Sequence, residues 1–144
     1  MPVFLKNHKV AYCIVLEDER IVRNVVTLIL RQSHHSVRQA GTPEEAELIC
    51  NSHPIDVLIA DVKLADGRSG TEFALALIRA QPEIKCLFIS GLPIEGWNKR
   101  DQFNVADMLD SSYAILCKPF SPDVLLMKAI DELLARRGPV GGST

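Results

Sequence analysis

The run Ile-Asp-Val-Leu-Ile-Ala-Asp at residues 55–61 decides the fold. A strand is predicted at residues 55–60, because this part is mostly apolar and rich in β-branched side chains, as is typical of a parallel sheet covered by helices on both faces. Residues 10–16, 84–89 and 113–117 form short apolar runs of the same character. These four runs are the predicted core of one sheet.

Helical patterns separate the predicted strands, and this alternation indicates βαβ units. In the first helix, Ile21, Val25, Leu28 and Ile29 are predicted to form the packed face. The sequence therefore predicts a doubly wound α/β fold, with a five-stranded parallel sheet and helices on both faces. A weak fifth strand is predicted at residues 36–40, and the helices at about residues 21–32, 43–51, 69–80, 98–109 and 121–137.

Polar side chains directly follow the four strongest runs: Glu17 and Asp18, then Asp61, Ser90 and Lys118. In an open parallel sheet the carboxyl ends of the strands lie side by side, and ligands bind in the crevice outside them. Crowded carboxylates repel each other unless a cation joins them. The sequence therefore predicts a Mg²⁺-type site with an anion-binding lysine opposite.

Composition limits the classes of function. The chain has 144 residues, 47% hydrophobic and 24% charged, which is ordinary for one globular domain. Its net charge of −2 does not suggest nucleic-acid binding, and no run is long enough to cross a membrane. Residues 1–9 lack a signal-peptide pattern, so a cytoplasmic location is expected. The four cysteines form no C-x-x-C pair and are expected to be small buried thiols.

Four short motifs resemble those of a bacterial response-regulator receiver domain. They are Val-Leu-Glu-Asp-Glu at residues 15–19, Leu-Ile-Ala-Asp at 58–61, Phe-Ile-Ser-Gly at 88–91 and Lys-Pro-Phe at 118–120. The resemblance covers residues 9–137, which leaves residues 1–8 as an N-terminal extension and 138–144 as an expected flexible tail. It implies the flavodoxin-like strand order 2-1-3-4-5.

The resemblance also implies a role for each polar residue. Asp61 is expected to accept a phosphoryl group as a carboxylate nucleophile. Asp18 and Asp61 are expected to ligate Mg²⁺ directly, with Glu17 acting through a water and the Lys63 main-chain carbonyl as a further ligand. Lys118 is expected to stabilise the phosphoryl oxygens.

Ser90 is expected to hydrogen-bond the new phosphoryl group and to start a surface change. Many receivers carry Tyr or Phe three residues before the lysine, where this chain has Ile115. Tyr113 lies on the same strand face but two residues further back. Trp97 lies in a long segment between Ser90 and the lysine, where two readings stay open: an exposed partner contact or a ring that covers its own loop.

The resemblance implies a stand-alone phosphorelay receiver, since few residues follow the last predicted helix. A sensor histidine kinase or a histidine phosphotransfer protein would be the donor, and an unknown protein the target. The protein is expected to be a monomer or weak homodimer and not an enzyme, beyond Mg²⁺-dependent self-phosphorylation from small donors and self-dephosphorylation.

Two alternatives compete with this interpretation. The first is a receiver-like interaction module that works without phosphorylation, which the change at Ile115 and the long segment would suit. The second is a phosphatase of the haloacid-dehalogenase type, which also uses an Asp after a strand. That class needs a second Asp two residues on, where this chain has Lys63.

Overall fold

The central sheet has five parallel strands in the order β2-β1-β3-β4-β5. The computed structural model describes residues 10–64, 67–118 and 122–136, and of residues 122–125 the backbone alone. The strands are β1 (Tyr12–Leu16), β2 (Ser36–Ala40), β3 (Val57–Asp61), β4 (Lys85–Ser90) and β5 (Tyr113–Cys117). The predicted strand order and parallel arrangement are therefore confirmed. Asp61 and Ser90 differ slightly from the prediction, because each is the last residue of its strand.

Five helices connect these strands: α1 (Arg20–Gln32), α2 (Pro43–Ser52), α3 (Gly70–Ala80), α4 (Lys99–Ala106) and α5 (Pro122–Ala135). Thr42 caps α2, since its hydroxyl accepts from the Glu45 N–H at 3.2 Å. Asn98 caps α4 in the same way, accepting from the Asp101 N–H at 2.8 Å. The predicted fourth helix was too long. Short 3₁₀ turns at Ile94–Gly96 and Asp110–Ser112 flank it instead.

The strands alternate their side chains between two hydrophobic clusters, one on each face of the sheet. Ile14 and Leu58 belong to the cluster that α2, α3 and α4 cover. Val15 and Ile59 belong to the cluster that α1 and α5 cover. Because both faces are covered, β1, β3 and β4 are almost entirely buried. Their carboxyl ends are therefore held rigidly at one edge of the sheet.

The predicted packed face of α1 was wrong. Ile21, Val25 and Leu28 are exposed, and of the predicted face only Ile29 is buried. The helix packs Val26, Ile29 and Leu30 against the sheet instead. Because α1 carries apolar side chains on two sides, periodicity alone could not decide which side faces the core.

His35, just after α1, is buried, and its Nδ1 accepts from the Ala11 N–H at 3.0 Å. One further expectation needs correction. Cys117 is exposed, because β5 is an edge strand, whereas Cys13, Cys50 and Cys86 are buried as expected. The expectations for residues 1–9 and for residues 138–144 fall outside the described residues.

Candidate functional site

The predicted site lies where β1 and β3 end next to each other. From β1 the chain passes to β2 on one side of β1, and from β2 it crosses to β3 on the other side of β1. The direction in which strands are added to the sheet therefore reverses between β1 and β3. Asp61 ends β3, and Glu17 and Asp18 follow β1. Open α/β sheets bind ligands in the crevice at such a switch point.

Asp61 and Lys118 form an ion pair across this crevice. The Lys118 Nζ lies 3.3 Å from the Asp61 Oδ2, and their side chains are 34% and 13% exposed. The other carboxylate oxygen, Oδ1, accepts from the Lys63 N–H at 3.1 Å. The Lys118 N–H in turn donates to the Ser90 carbonyl at 2.7 Å, which fixes the lysine backbone to the end of β4. Asp61 is thus oriented from two sides yet still reaches solvent.

Glu17 is buried beside this pair, at 4% exposure. Burial, the negative charge of Asp61 and a hydrogen bond with Asp18 raise the pKa of Glu17 from 4.5 to about 7. A hydrogen bond from the Glu19 N–H, at 3.0 Å, and the charge of Lys118 act in the opposite direction. Three carboxylates therefore interact in one place, and Lys118 does not fully compensate them. We call Glu17, Asp18, Asp61 and Lys118 the acceptor corner.

This uncompensated charge fits a divalent cation. Within the described ranges, no three His, Cys, Asp or Glu side chains are grouped so that they alone could hold a metal ion. Mg²⁺ does not need such a group, because it keeps several waters and usually takes one or two carboxylates together with phosphate oxygens. Burial is the main cause of the raised pKa of Glu17, and the negative charge of Asp61, which a cation would relieve, adds to it. The ligand roles of Glu17, Asp18, Asp61 and Lys63 stay predictions.

Gly70 supports the acceptor corner, and sequence analysis missed it. A Cβ at this position would lie 2.0 Å from the Asp61 carbonyl oxygen. The Gly70 N–H donates to the Val62 carbonyl at 3.0 Å, so α3 begins directly against the end of β3. Only glycine permits this approach. The sequence signal was merely a glycine after a capping serine, a pattern too common at helix starts to indicate such a contact.

Ser90 lines the same pocket as Asp61, but its hydroxyl is engaged elsewhere. The hydroxyl donates to the Leu92 carbonyl at 2.7 Å and accepts from the Leu92 N–H at 3.0 Å. The Trp97 indole N–H also donates to it, at 2.9 Å. Trp97 is buried at 7% exposure. Of the two readings of Trp97, the structure thus selects the ring that covers its own loop.

The predicted switch residues of β5 lie on one face of the strand. Tyr113 and Ile115 both pack against the cluster that contains Phe88 and Trp97. The Tyr113 and Phe88 ring centroids are 6.4 Å apart, and Ile115 pairs with Phe88 in the register of β4 and β5. Both residues are half-buried. Their roles in switching stay predictions.

Asp101 is a second residue that sequence analysis missed. It is buried at 2% exposure although it lies in the first turn of α4. Its Oδ1 accepts from the hydroxyls of Ser69 and Thr71, the latter at 2.6 Å. This carboxylate therefore ties α4 to the start of α3. No sequence motif distinguishes it from an ordinary acidic residue near a helix N-terminus.

Two depressions are relevant to the location of the site. A pocket of about 170 Å³ contains Asp61, Ser90, Leu92, Trp97 and Asp101 among its lining residues. A larger open groove of about 650 Å³ runs between β5 and α5. The groove contains no part of the acceptor corner, so the chemistry of the side chains, rather than the size of the cavity, locates the site.

The family model for the response regulator receiver domain matches residues 13–130 of the chain. The chain belongs to this family. The resemblance that the four motifs indicated is therefore confirmed. Receiver domains are signalling domains of two-component systems, generally not enzymes, and they generally bind Mg²⁺ at the site of phosphorylation.

Sequence identity to individual proteins is low. Aerobic respiration control protein ArcA of Escherichia coli strain K12 is 27% identical over 130 residues, which cover 90% of this chain and 51% of that protein. The chain thus spans about half the length of this curated relative.

Solved structures show the same fold. The response regulator PhyR from Brucella abortus aligns with a TM-score of 0.70 and 22% identity, over 88% of this chain and 49% of that one. The chemotaxis response regulator CheY4 of Vibrio cholerae gives a TM-score of 0.70 and 24% identity, over 88% of this chain and all of that chain, 100%. Among the described residues, no helix is both long and apolar enough to span a membrane.

Proposed function

We propose that this receiver domain accepts a phosphoryl group on Asp61 from a phosphohistidine of a sensor histidine kinase or a histidine phosphotransfer protein. The observation that carries the proposal is the 3.3 Å pair of Asp61 and Lys118 at the switch point of the sheet. A carboxylate at 13% exposure beside an ammonium group remains accessible to a donor. The ammonium group also offers a positive charge to an incoming phosphoryl group.

In the proposed step, one Asp61 carboxylate oxygen attacks the phosphorus atom. The new O–P bond forms as the P–N bond to the donor imidazole breaks, and the imidazole nitrogen leaves with the bonding electrons. Lys118 then stabilises charge on the transferring oxygens, which is the main contribution of a protein to phosphoryl transfer. The Lys63 N–H keeps the carboxylate oriented through the attack.

Mg²⁺ would neutralise phosphoryl charge in this site. Asp18, Asp61 and the Lys63 carbonyl are the proposed direct ligands, and Glu17 the proposed ligand through water. The raised pKa of Glu17 supports this set, because its cause includes the crowding of acidic groups as well as burial. Removing the positive partner or the cation would leave that crowding uncompensated.

The proposed output is a change of surface near α4 and β5 that a downstream protein recognises. The position of Ser90 supports this output. Ser90 lines the pocket that contains Asp61, and its hydroxyl contacts the segment that leads into α4. A cytoplasmic location is also proposed. The four free cysteines suit a reducing compartment.

Intact-mass measurement tests the proposal. The purified chain is incubated with Mg²⁺ and acetyl phosphate, from which Asp61 would displace acetate. One phosphoryl group is expected to add to the wild type and none to Asp61→Asn. Asp56→Asn is the matched control, because it makes the same change just before the opposite end of β3 and should leave the addition intact.

Two results would contradict the proposal. Addition that persists in Asp61→Asn would place the acceptor elsewhere. No addition to a wild type that is folded and binds Mg²⁺ would favour the phosphorylation-independent interaction module, to which the engaged hydroxyl of Ser90 would then be relevant.

A further inference from the structure

Trp97 is the only tryptophan of the chain, and its place is unusual for a residue in an irregular segment. It follows the 3₁₀ turn Ile94–Gly96 and is nevertheless buried. Its ring meets Phe88 of β4 edge to face, with centroids 6.3 Å apart and planes at 79°. The ring is therefore fixed against the strand that ends in Ser90.

The indole N–H has two acceptors. It donates to the Ser90 Oγ at 2.9 Å and to the Leu92 carbonyl at 2.9 Å. The Ser90 hydroxyl donates its own proton to that same carbonyl, at 2.7 Å. Ser90, Leu92 and Trp97 thus form a closed triangle of hydrogen bonds, which we call the indole triangle.

A serine hydroxyl has one proton to donate. While Ser90 donates to Leu92, it cannot donate to a phosphoryl oxygen on Asp61. The proposed signal therefore requires the triangle to open. The indole N–H and the Leu92 N–H both donate to the hydroxyl oxygen and hold it in this place.

We propose that Trp97 is a positioning residue that acts through Ser90. In the unphosphorylated protein its N–H holds the Ser90 hydroxyl away from Asp61. When Ser90 turns to the phosphoryl group, the same N–H keeps the Leu92 carbonyl paired. This inference rests on the proposed function, since it describes how the phosphoryl group would be sensed.

The geometry makes this exchange inexpensive. A buried N–H without an acceptor is costly, but the indole retains the Leu92 carbonyl after Ser90 has left. The Leu92 N–H loses Ser90, yet Leu92 is 52% exposed, so water can replace the serine there. No group of the triangle is left unpaired in either arrangement, and a modest new hydrogen bond to phosphate suffices to shift the balance.

Because Trp97 is the only tryptophan, its fluorescence reports this contact directly. The full chain is phosphorylated with acetyl phosphate and Mg²⁺ while intact mass and tryptophan emission are followed in the same sample. We expect the emission to change in proportion to the phosphorylated fraction. Asp61→Asn with Mg²⁺ and acetyl phosphate corrects for effects of the reagents.

Two variants test whether the change passes through Ser90. Ser90→Ala should still gain the phosphoryl mass but lose most of the emission change. Trp97→Phe keeps a ring against Phe88 and removes the N–H donor, so the hydroxyl loses one of its partners and is held by Leu92 alone. Its rate of phosphorylation should rise about threefold to tenfold, the equivalent of one ordinary hydrogen bond. Phe103→Leu, an exposed substitution on α4, is the matched control and should not change the rate.

The outcomes separate the two proposals. Mass gain with unchanged emission in the wild type overturns the role of Trp97 and leaves the acceptor role of Asp61 standing. An emission change that is equally large in Ser90→Ala also overturns it. No mass gain in the folded wild type overturns both. The wild-type measurement needs no substitution, so a Trp97→Phe variant that fails to fold does not remove the test.

Discussion

The acceptor corner and the indole triangle lie side by side, yet they are built in opposite ways. Asp61 ends a buried central strand and is held by the Lys63 N–H and by Lys118. The indole triangle is held by side chains and a loop carbonyl that can exchange partners. The proposed chemistry therefore belongs to a rigid part of the fold, whereas the proposed response belongs to the loop between β4 and α4.

The physical basis is the anchoring of the backbone. Strands β1 and β3 pair along their length and are covered on both faces, so their ends cannot move without disrupting the core. The segment after β4 has only short turns before α4. The proposed exchange of hydrogen bonds at Ser90 would make this segment a two-state element.

The largest expected effect concerns the charge of the acceptor corner. Lys118→Ala should slow phosphorylation by acetyl phosphate about 100-fold, because the transferring oxygens lose a preorganised positive charge. Initial rates from intact mass measure this. Lys128→Ala removes an exposed lysine of α5 and should behave like the wild type. If the two variants had equal rates, the acceptor corner would not supply the chemistry.

The next largest effect concerns the backbone of the acceptor corner. Gly70→Ala places a Cβ against the Asp61 carbonyl and should lower the free energy of unfolding by about 2–3 kcal/mol, because strand or helix must shift. Gly91→Ala, in the loop between β4 and α4, is the control, because an added Cβ there meets no atom within 4 Å. It should cost less than about 0.5 kcal/mol. Urea unfolding of both variants measures these losses of stability. Equal losses would show that the close approach of Gly70 to Asp61 does not matter for stability.

A third prediction concerns Glu17, whose folded-state pKa is about 7 instead of 4.5. Between these two values the folded state retains a proton that the unfolded state loses, so burial of Glu17 reduces stability as pH rises. Without divalent cations, Glu17→Gln should therefore be more stable than the wild type at pH ~8, by about 2 kcal/mol.

The gain of Glu17→Gln should shrink as the pH falls and vanish below about 4.5, where Glu17 is protonated in both states. Urea unfolding at several pH values provides the measurement. A stability difference that does not depend on pH would show that ionisation of the buried Glu17 is not its cause.

The smallest predicted effect lies beside the indole triangle. Asp101→Asn keeps the shape of the side chain but weakens the bonds from the hydroxyls of Ser69 and Thr71, and should cost about 1 kcal/mol. Asp107→Asn changes only an exposed pair with Arg79 and should be neutral in urea unfolding. Equal effects would mean that Asp101 does not anchor α4.

Much of the acceptor corner and of the strands that hold it could be predicted from the sequence. A parallel strand covered on both faces needs a nearly continuous apolar run. The sequence pattern alone therefore locates β3 and the polar residue at its end. The motifs around Asp61, Ser90 and Lys118 added the family and its strand order. The packed face of α1 could not be predicted, because Val25 and Val26 have the same hydrophobicity and only the sheet decides between them.

The sequence by itself determined the strands, the parallel architecture and the residues at the strand ends, since these follow from local hydrophobic patterns. The tertiary structure alone decided which contacts those residues make. The approach of Gly70 to Asp61, the burial of Asp101 and the bond from Trp97 to Ser90 each join residues from separate elements. Such contacts depend on distances in space that sequence spacing does not encode.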